Sequence, residues 1–231
     1  MNSTPEKTSP TRGEITKQAL ITTAISIFGR DGFDAASTRA ISQAAGVNQA
    51  LIGYHFGGKP GLYAATLRHI AENVSARIGP LLGLIESELP TGNAETDPDS
   101  EAKHALELLH RLTDAFVQVL NSDESADWAR LILHEQQYPS EGFDILYDGF
   151  MHRMFSVASR LVSLVRREKE TVQQTRLMTA TILGQALVFR AARTVVMREL
   201  GWNRMAPAEI ESIKALLRRN TTAILLTEQT S

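Results

Sequence analysis

Apolar residues recur three and four positions apart along most of this 231-residue chain, the spacing of amphipathic helices. No stretch alternates with the period of two that a half-buried strand requires. Ile15, Leu20, Ala24, Ile27 and Phe28 form one stripe on a predicted helix from Arg12 to Arg30. Asp31-Gly32-Phe33 ends it and returns Phe33 to a small core. Ser37 then predicts a helix start, because the first N–H groups of a helix lack partners and a hydroxyl can accept from one of them. The helix it caps is short, Thr38 to Ala45. Gly46 stops it, since glycine takes the left-handed conformation without a Cβ clash. Val47 is an apolar anchor, and Asn48 caps a second short helix from Gln49 to Phe56. Two short helices around a glycine turn make a helix-turn-helix.

The positions of this pair divide cleanly. Ile41, Ala45, Val47, Ile52 and Phe56 point into one core, whereas Gln49, Ala50, Gly53 and Tyr54 share another face through their i, i+4 spacing. That outer face carries small residues and one amide, as a helix entering a DNA major groove needs. A plain helical hairpin inside a bundle is the alternative.

Ile27-Phe28, Gly32-Phe33, Ser37-Thr38, Ile41-Ser42, Ala45-Gly46-Val47, Tyr54-His55-Phe56 and Lys59, at these spacings, resemble the DNA-binding head of the TetR family of bacterial transcriptional regulators. The resemblance runs from Thr11 to Leu67. It implies base contacts from Arg39 and Gln49, phosphate contacts from Thr38, Tyr54, His55 and Lys59, and a DNA surface that includes Asn48, Ala50 and Leu51. The chemistry agrees, since arginine can bridge guanine O6/N7 and glutamine adenine N6/N7. Two alternatives stay open: Arg39 meets phosphate only, and His55 packs against Phe56 and the fourth helix. Gly53 departs from the family pattern, which often has an aromatic residue there, and so lacks a phosphate or packing contact.

Gly57-Gly58-Lys59-Pro60 reads as a turn with Pro60 in the first helical position. A long helix follows to Leu89. A kink or break is expected at Gly79-Pro80, where proline removes a hydrogen bond and crowds the preceding turn. Pro90 to Ser100 is a loop by composition. Helical patterns then fill Ala102 to Leu120, Ser125 to Tyr138, Ser140 to Arg167, Val172 to Leu200 and Pro207 to Leu226. The fold class is all-α, with about nine helices. A disordered tail is expected over residues 1–11, a helix-turn-helix head over 12–59, and a helical ligand-binding, regulatory and dimerisation domain over 60–231.

Composition changes this picture little. Apolar residues at 43% suffice for a core. The absence of cysteine excludes disulfides and thiolate metal sites, and fits a reducing cytoplasm. No apolar run reaches the roughly 18 residues of a membrane span, and the polar first residues lack the apolar segment of a signal peptide. A cytoplasmic protein without membrane contact is expected. Net charge is −2, but it is unevenly spread: residues 12–59 carry five basic and three acidic side chains, and residues from Pro60 onward 18 and 22. A mildly basic head on an acidic body fits DNA contact by the head alone.

Catalytic chemistry finds no support. His134-Glu135-Gln136-Gln137-Tyr138 has tyrosine where a zinc-protease helix needs its second histidine. There is no GxSxG elbow, and Gly57-Gly58-Lys59 is too short for a phosphate loop and follows a helix. No catalytic residue, metal or cofactor is expected, and no enzyme.

In the body, His134-Glu135-Gln136-Gln137-Tyr138-Pro139, Gly184 to Arg190, and Gly201-Trp202 resemble the C-terminal domain of the CecR-like subgroup of TetR regulators. That resemblance implies control of transport or drug-sensitivity genes. Gln185 and Arg190 sit inside an apolar run, and a buried arginine requires a partner. Glu135, a ligand carboxylate or a position at a dimer rim are the alternatives. Trp128, Glu135, Phe155, Gln185, Phe189 and Arg190 are the candidate small-molecule site, with Phe150 and Met154 beside them; core packing explains the aromatic members equally well. The last two helices carry more apolar surface than a monomer needs, at Leu183, Leu187, Ala191, Thr194, Val195, Ile213, Leu216 and Leu217. They either form a homodimer interface or close the monomer core. The reading is a ligand-responsive repressor that binds palindromic double-stranded operator DNA as a homodimer. An activator or dual regulator, and a helical small-molecule-binding protein with a vestigial head, are the alternatives.

Overall fold

The computed structural model describes residues 11–89, 97–122, 125–167 and 170–227, which contain helices and no strand. The predicted tail, residues 1–10, lies outside them. Thr11, assigned to the tail, instead caps α1 (Arg12–Ala35): its backbone N–H donates to the Glu14 carboxylate at 2.6 Å while its hydroxyl accepts from the Glu14 N–H. This reciprocal pair is a capping box. Gly32 interrupts α1 with φ +74°. A Cβ there would lie 2.8 Å from His134 Nε2, so close packing as well as backbone conformation requires glycine.

The helix-turn-helix forms as its caps dictate. Ser37 Oγ accepts from the Ala40 N–H at 3.1 Å and starts α2 (Thr38–Ala44). Gly46 at φ +67° ends it, with the Val47 N–H on the Ser42 carbonyl at 3.0 Å and the Gly46 N–H on the Gln43 carbonyl at 3.2 Å. These two bonds make a Schellman cap. Asn48 Oδ1 accepts from the Ala50 N–H at 2.8 Å and starts α3 (Ala50–Phe56). Leu20, Phe28, Ile41, Ile52 and Leu62 are fully buried and knit α1 to α3 onto the next helix, α4 (Lys59–Glu88).

Helix α4 runs without a break across Gly79-Pro80, so of the two alternatives, kink or break, the break does not occur. An interior proline costs about 3 kcal/mol. Ile70, Val74, Ile78, Leu82 and Ile85 are buried on both sides of it, and each is worth about 1.5–3 kcal/mol, so packing holds the two halves in one helix. The Arg153 guanidinium lies beside Gly79 and Gly83, where a Cβ would still fit at 3.9 and 3.7 Å, and forms a bidentate pair with Glu86 at 3.0 and 2.6 Å.

The next helix, α5 (Pro98–Asn121), starts inside the predicted loop. Asp97 accepts from the Ser100 N–H at 3.1 Å and Pro98 takes the first helical position. Residues 90–96 of that loop lie outside the described residues. Helix α6 (Ser125–Gln137) follows. The predicted helix from Ser140 to Arg167 is α7 (Phe143–Leu146), a π-helical stretch (Tyr147–Met151) and α8 (His152–Val165). Gly149 lets α4 approach, since a Cβ there would stand 2.7 Å from Ala71 Cβ, and Ser75 Oγ donates to the Gly149 carbonyl at 2.7 Å. A side chain that enters the helical hydrogen-bond ladder in this way favours a local change of helix type.

The predicted helix from Val172 to Leu200 is divided. Helices α9 (Val172–Ala191) and α10 (Arg193–Glu199) meet at 77° about Ala192. No glycine or proline marks the bend; α10 buries no residue fully, so no core contact holds it in line. Helix α11 (Pro207–Leu226) closes the chain. In the body α5 is central, flanked by α4, α6, α8, α9 and α11, while α1 rests on α4 and α6.

Candidate nucleic-acid interface and body cavity

The outer face of α3 is built as the pattern requires. Asn48, Gln49, Ala50, Gly53 and Tyr54 are exposed, and a Cβ at Gly53 would meet nothing within 4 Å. Gln49 Nε2 donates to Thr38 Oγ1 at 3.0 Å, which fixes the amide across the turn. That bond uses one of its two N–H groups and leaves the other, with the carbonyl oxygen, for a base edge. Arg39 is exposed on α2 beside Thr38. Leu51 points inward and packs on the core. His55 is half-buried between Tyr54 and Phe56, with ring centroids 4.9 and 6.1 Å away. Lys59 Nζ donates to the Asp34 carbonyl at 3.0 Å and lies 4.7 Å from the Phe33 ring centre, so part of its ammonium is engaged inside the head.

A second cluster joins head to body. Glu135 of α6 is buried, and its carboxylate accepts from the Tyr63 hydroxyl of α4, from Ser140 Oγ at 3.0 Å and from the Ser140 N–H at 3.2 Å. Burial, then the bond to Glu135, raises the Tyr63 phenol well above its usual range. Phe28 and Phe33 pack edge-on to the Tyr63 ring, at 4.8 and 4.9 Å. Glu135 therefore does not pair with Arg190, and neither it, Gln185 nor Phe189 lines the cavity described next. Gln185 instead accepts from Asn220 Nδ2 of α11 at 3.1 Å, and Phe189 packs on the core. Glu135's partner is Tyr63, an aromatic position of α4 that no sequence motif marks.

The cavity has a volume of about 380 Å³ and lies among α4, α5, α6, the α7–α8 segment and α9. Trp128, Phe155 and Arg190 line it, as do Phe150, Met154 and, unanticipated, Phe116, Phe143 and Tyr147. The π-helical stretch supplies Tyr147, Phe150 and Met151 to the wall. Arg190 is half-buried, and its Nη2 donates to the Ser125 carbonyl at 3.3 Å. Burial, then the nearby Arg193 and Arg130, lower its pKa; Asp127 opposes this.

Of the residues proposed for the dimer face, Leu183, Ile213 and Leu217 are buried within the chain, while Val195 and Leu216 are exposed. Leu177 and Val188 on α9 and Ile224 on α11 are exposed as well. Among the described residues no single helix is long and apolar enough to cross a membrane; α9 and α10 reach that threshold only together, across their 77° bend.

A capped helix-turn-helix on an all-helical body is the architecture of a class of bacterial transcriptional regulators. Residues 20–74 match the bacterial regulatory proteins of the tetR family, and residues 105–227 match the C-terminal domain of the HTH-type transcriptional dual regulator CecR. The chain belongs to the TetR family of transcriptional regulators and has a CecR-type C-terminal domain. It is 27% identical to the dual regulator CecR of Shigella flexneri over 87% of each chain. Over 65 residues, 28% of this chain and 33% of that one, it is 43% identical to the regulator BetI of Vibrio campbellii. The fold is shared with a TetR-like regulator from Rhodococcus sp. RHA1, at a TM-score of 0.61 and 17% identity, covering 95% of this chain and all of that one. The fatty acid degradation regulator FadR from Bacillus halodurans shares it too, at a TM-score of 0.55 and 18% identity, over 97% and 99%.

Proposed function

We propose that this regulator binds a palindromic operator as a homodimer, represses transcription there, and is released by a small molecule held in the body cavity. The observation that carries the reading is the outer face of α3, where small residues flank one amide already held by Thr38. Two such faces on a two-fold axis would enter successive major grooves about 34 Å apart. Gln49 and Arg39 are assigned to bases, and Thr38, Tyr54, His55 and Lys59 to phosphates. The exposed apolar side chains of α9 and α11 support dimerisation through these helices. The protein works in the cytoplasm, and its target genes serve transport or drug sensitivity.

A second reading, activation as well as repression, is favoured by the dual regulator that spans most of the chain. A mobility-shift titration on duplex DNA from the protein's own promoter tests the proposal. A retarded band with two protomers per duplex is expected. Absence of any shift on promoter DNA, with the protein folded and dimeric, would favour a body that binds small molecules beneath a vestigial head.

A further inference from the structure

We propose that the body cavity accepts a small amphipathic monocarboxylate, its apolar part among the aromatic side chains and its anionic head on Arg190. This rests on the reading of the body as an effector domain and narrows the effector to a chemical class.

The shape and lining of the cavity limit its occupant. A volume of about 380 Å³ falls within the range of small-molecule sites. Trp128, Phe150, Met154 and Phe155 give it apolar walls, which favour a hydrophobic body. Arg190 is the one charged residue in its wall among the described residues, and no carboxylate joins it there.

Among the described residues the charge around Arg190 is uncompensated. Its one hydrogen bond among the described residues goes to a neutral acceptor, the Ser125 carbonyl, and uses one of five guanidinium N–H groups. Arg193 and Arg130 add positive potential at the same place, and Asp127 adds a single negative charge. That carboxylate is already bonded to Arg130 Nη2 at 3.0 Å. A partly buried cation without a counter-ion loses hydration that nothing replaces. An anion entering the cavity supplies the missing partner, and a cation is repelled. Arginine's planar fork fits a carboxylate through two parallel bonds. With Arg190 the one charged residue of the wall, and Ser125, Gln136 and Tyr147 its neutral polar members, a single carboxylate is matched and a multiply charged head is not.

The test is calorimetric titration of the full chain, without DNA, with paired ligands: octanoate, decanoate, dodecanoate and 2-naphthylacetate, each against its primary amide. The amide keeps shape and removes charge. At least one acid is expected to bind about tenfold more tightly than its amide, a difference of about 1.4 kcal/mol. Arg190→Gln is expected to bring that acid down to the affinity of the amide and leave the amide unchanged; Arg190→Lys restores part of the preference. Leu187→Trp, which fills the cavity from its wall, removes both.

Four outcomes overturn the proposal: equal binding of acids and amides, an acid preference that survives Arg190→Gln, binding of no acid at about 1 mM, or binding unaffected by Leu187→Trp. A fifth concerns the partner subunit. If Arg190→Gln converts dimer to monomer in sedimentation velocity while acid binding persists, the counter-ion is a partner carboxylate and the proposal falls. Because no DNA is present, failure here leaves operator binding standing, and failure to bind operator leaves the acid preference standing.

Discussion

The Tyr63 hydroxyl, on the helix leading out of the head, donates a hydrogen bond to the buried carboxylate of Glu135, 72 residues further along the chain. The same two helices continue to the cavity, which Val74 of α4 and Trp128 of α6 line. A shift of either helix at the cavity would reach a polar contact beneath the head. Such a contact responds sharply, because a buried donor or acceptor that loses its partner bears the full desolvation cost. Tyr63→Phe removes one hydrogen bond to a carboxylate while keeping the ring against Phe28 and Phe33. It should lower stability by about 1.5–3 kcal/mol in urea denaturation. A change under about 0.5 kcal/mol would show that the contact is structurally idle.

The same residue sets an alkaline pH dependence. Burial raises the Tyr63 phenol above its ordinary value near 10. Below that value both folded and unfolded chains hold the proton, and the stabilisation is complete. Above it the unfolded chain releases the proton and the folded chain keeps it. Stability should then fall with rising pH by up to about 1.4 kcal/mol per unit. Urea midpoints from about pH 9 to 11 should decline more steeply for the wild type than for Tyr63→Phe. Parallel declines would exclude a perturbed phenol.

Gly32 and Gly46 share a positive φ, +74° and +67°, but Gly32 has ψ 175°, a region that essentially only glycine occupies, and its surroundings differ. Gly46→Ala adds a methyl with nothing within 4 Å and should cost only the left-handed penalty, about 1–2 kcal/mol. Gly32→Ala places an alanine in a region that costs about 1–3 kcal/mol and drives its methyl into His134, which should cost roughly a further 1–3 kcal/mol from overpacking. Equal losses would contradict an added cost at Gly32.

Gly53 separates stability from DNA affinity. Gly53→Ala meets no atom within 4 Å and replaces an interior helical glycine, so the protein should gain about 0.5–1 kcal/mol. That is a rise of about 1–4 °C in Tm. The added methyl projects from the outer face of α3, and operator affinity should fall. Unchanged operator affinity would take Gly53 out of the interface.

The head was legible because its determinants are local. Ser37, Gly46 and Asn48 each act on backbone groups two to five residues away, and each makes the cap its side chain predicts. The body was legible as helices and less so as contacts. Pro98 follows a cap at Asp97, a local signal hidden within a loop-like composition. The bend at Ala192 has no residue that marks it. Pairing of Glu135 with Tyr63, in place of Arg190, depends on how α4 and α6 cross, which no periodicity encodes. The division of the predicted cavity set has the same origin: Phe155 and Phe189 both read as apolar helix positions, and only packing puts the first in the cavity wall.

The central claim, that α3 reads operator DNA through Gln49, is tested most directly by fluorescence anisotropy at fixed salt. Wild type and Gln49→Ala are each titrated against promoter duplex and a scrambled duplex of the same composition. The wild type should prefer the promoter by about 10³-fold or more. Gln49→Ala should lose about 1–3 kcal/mol on the promoter and little on the scrambled duplex, because phosphate contacts carry non-specific binding. Equal losses on both duplexes, or no preference in the wild type, would contradict the account.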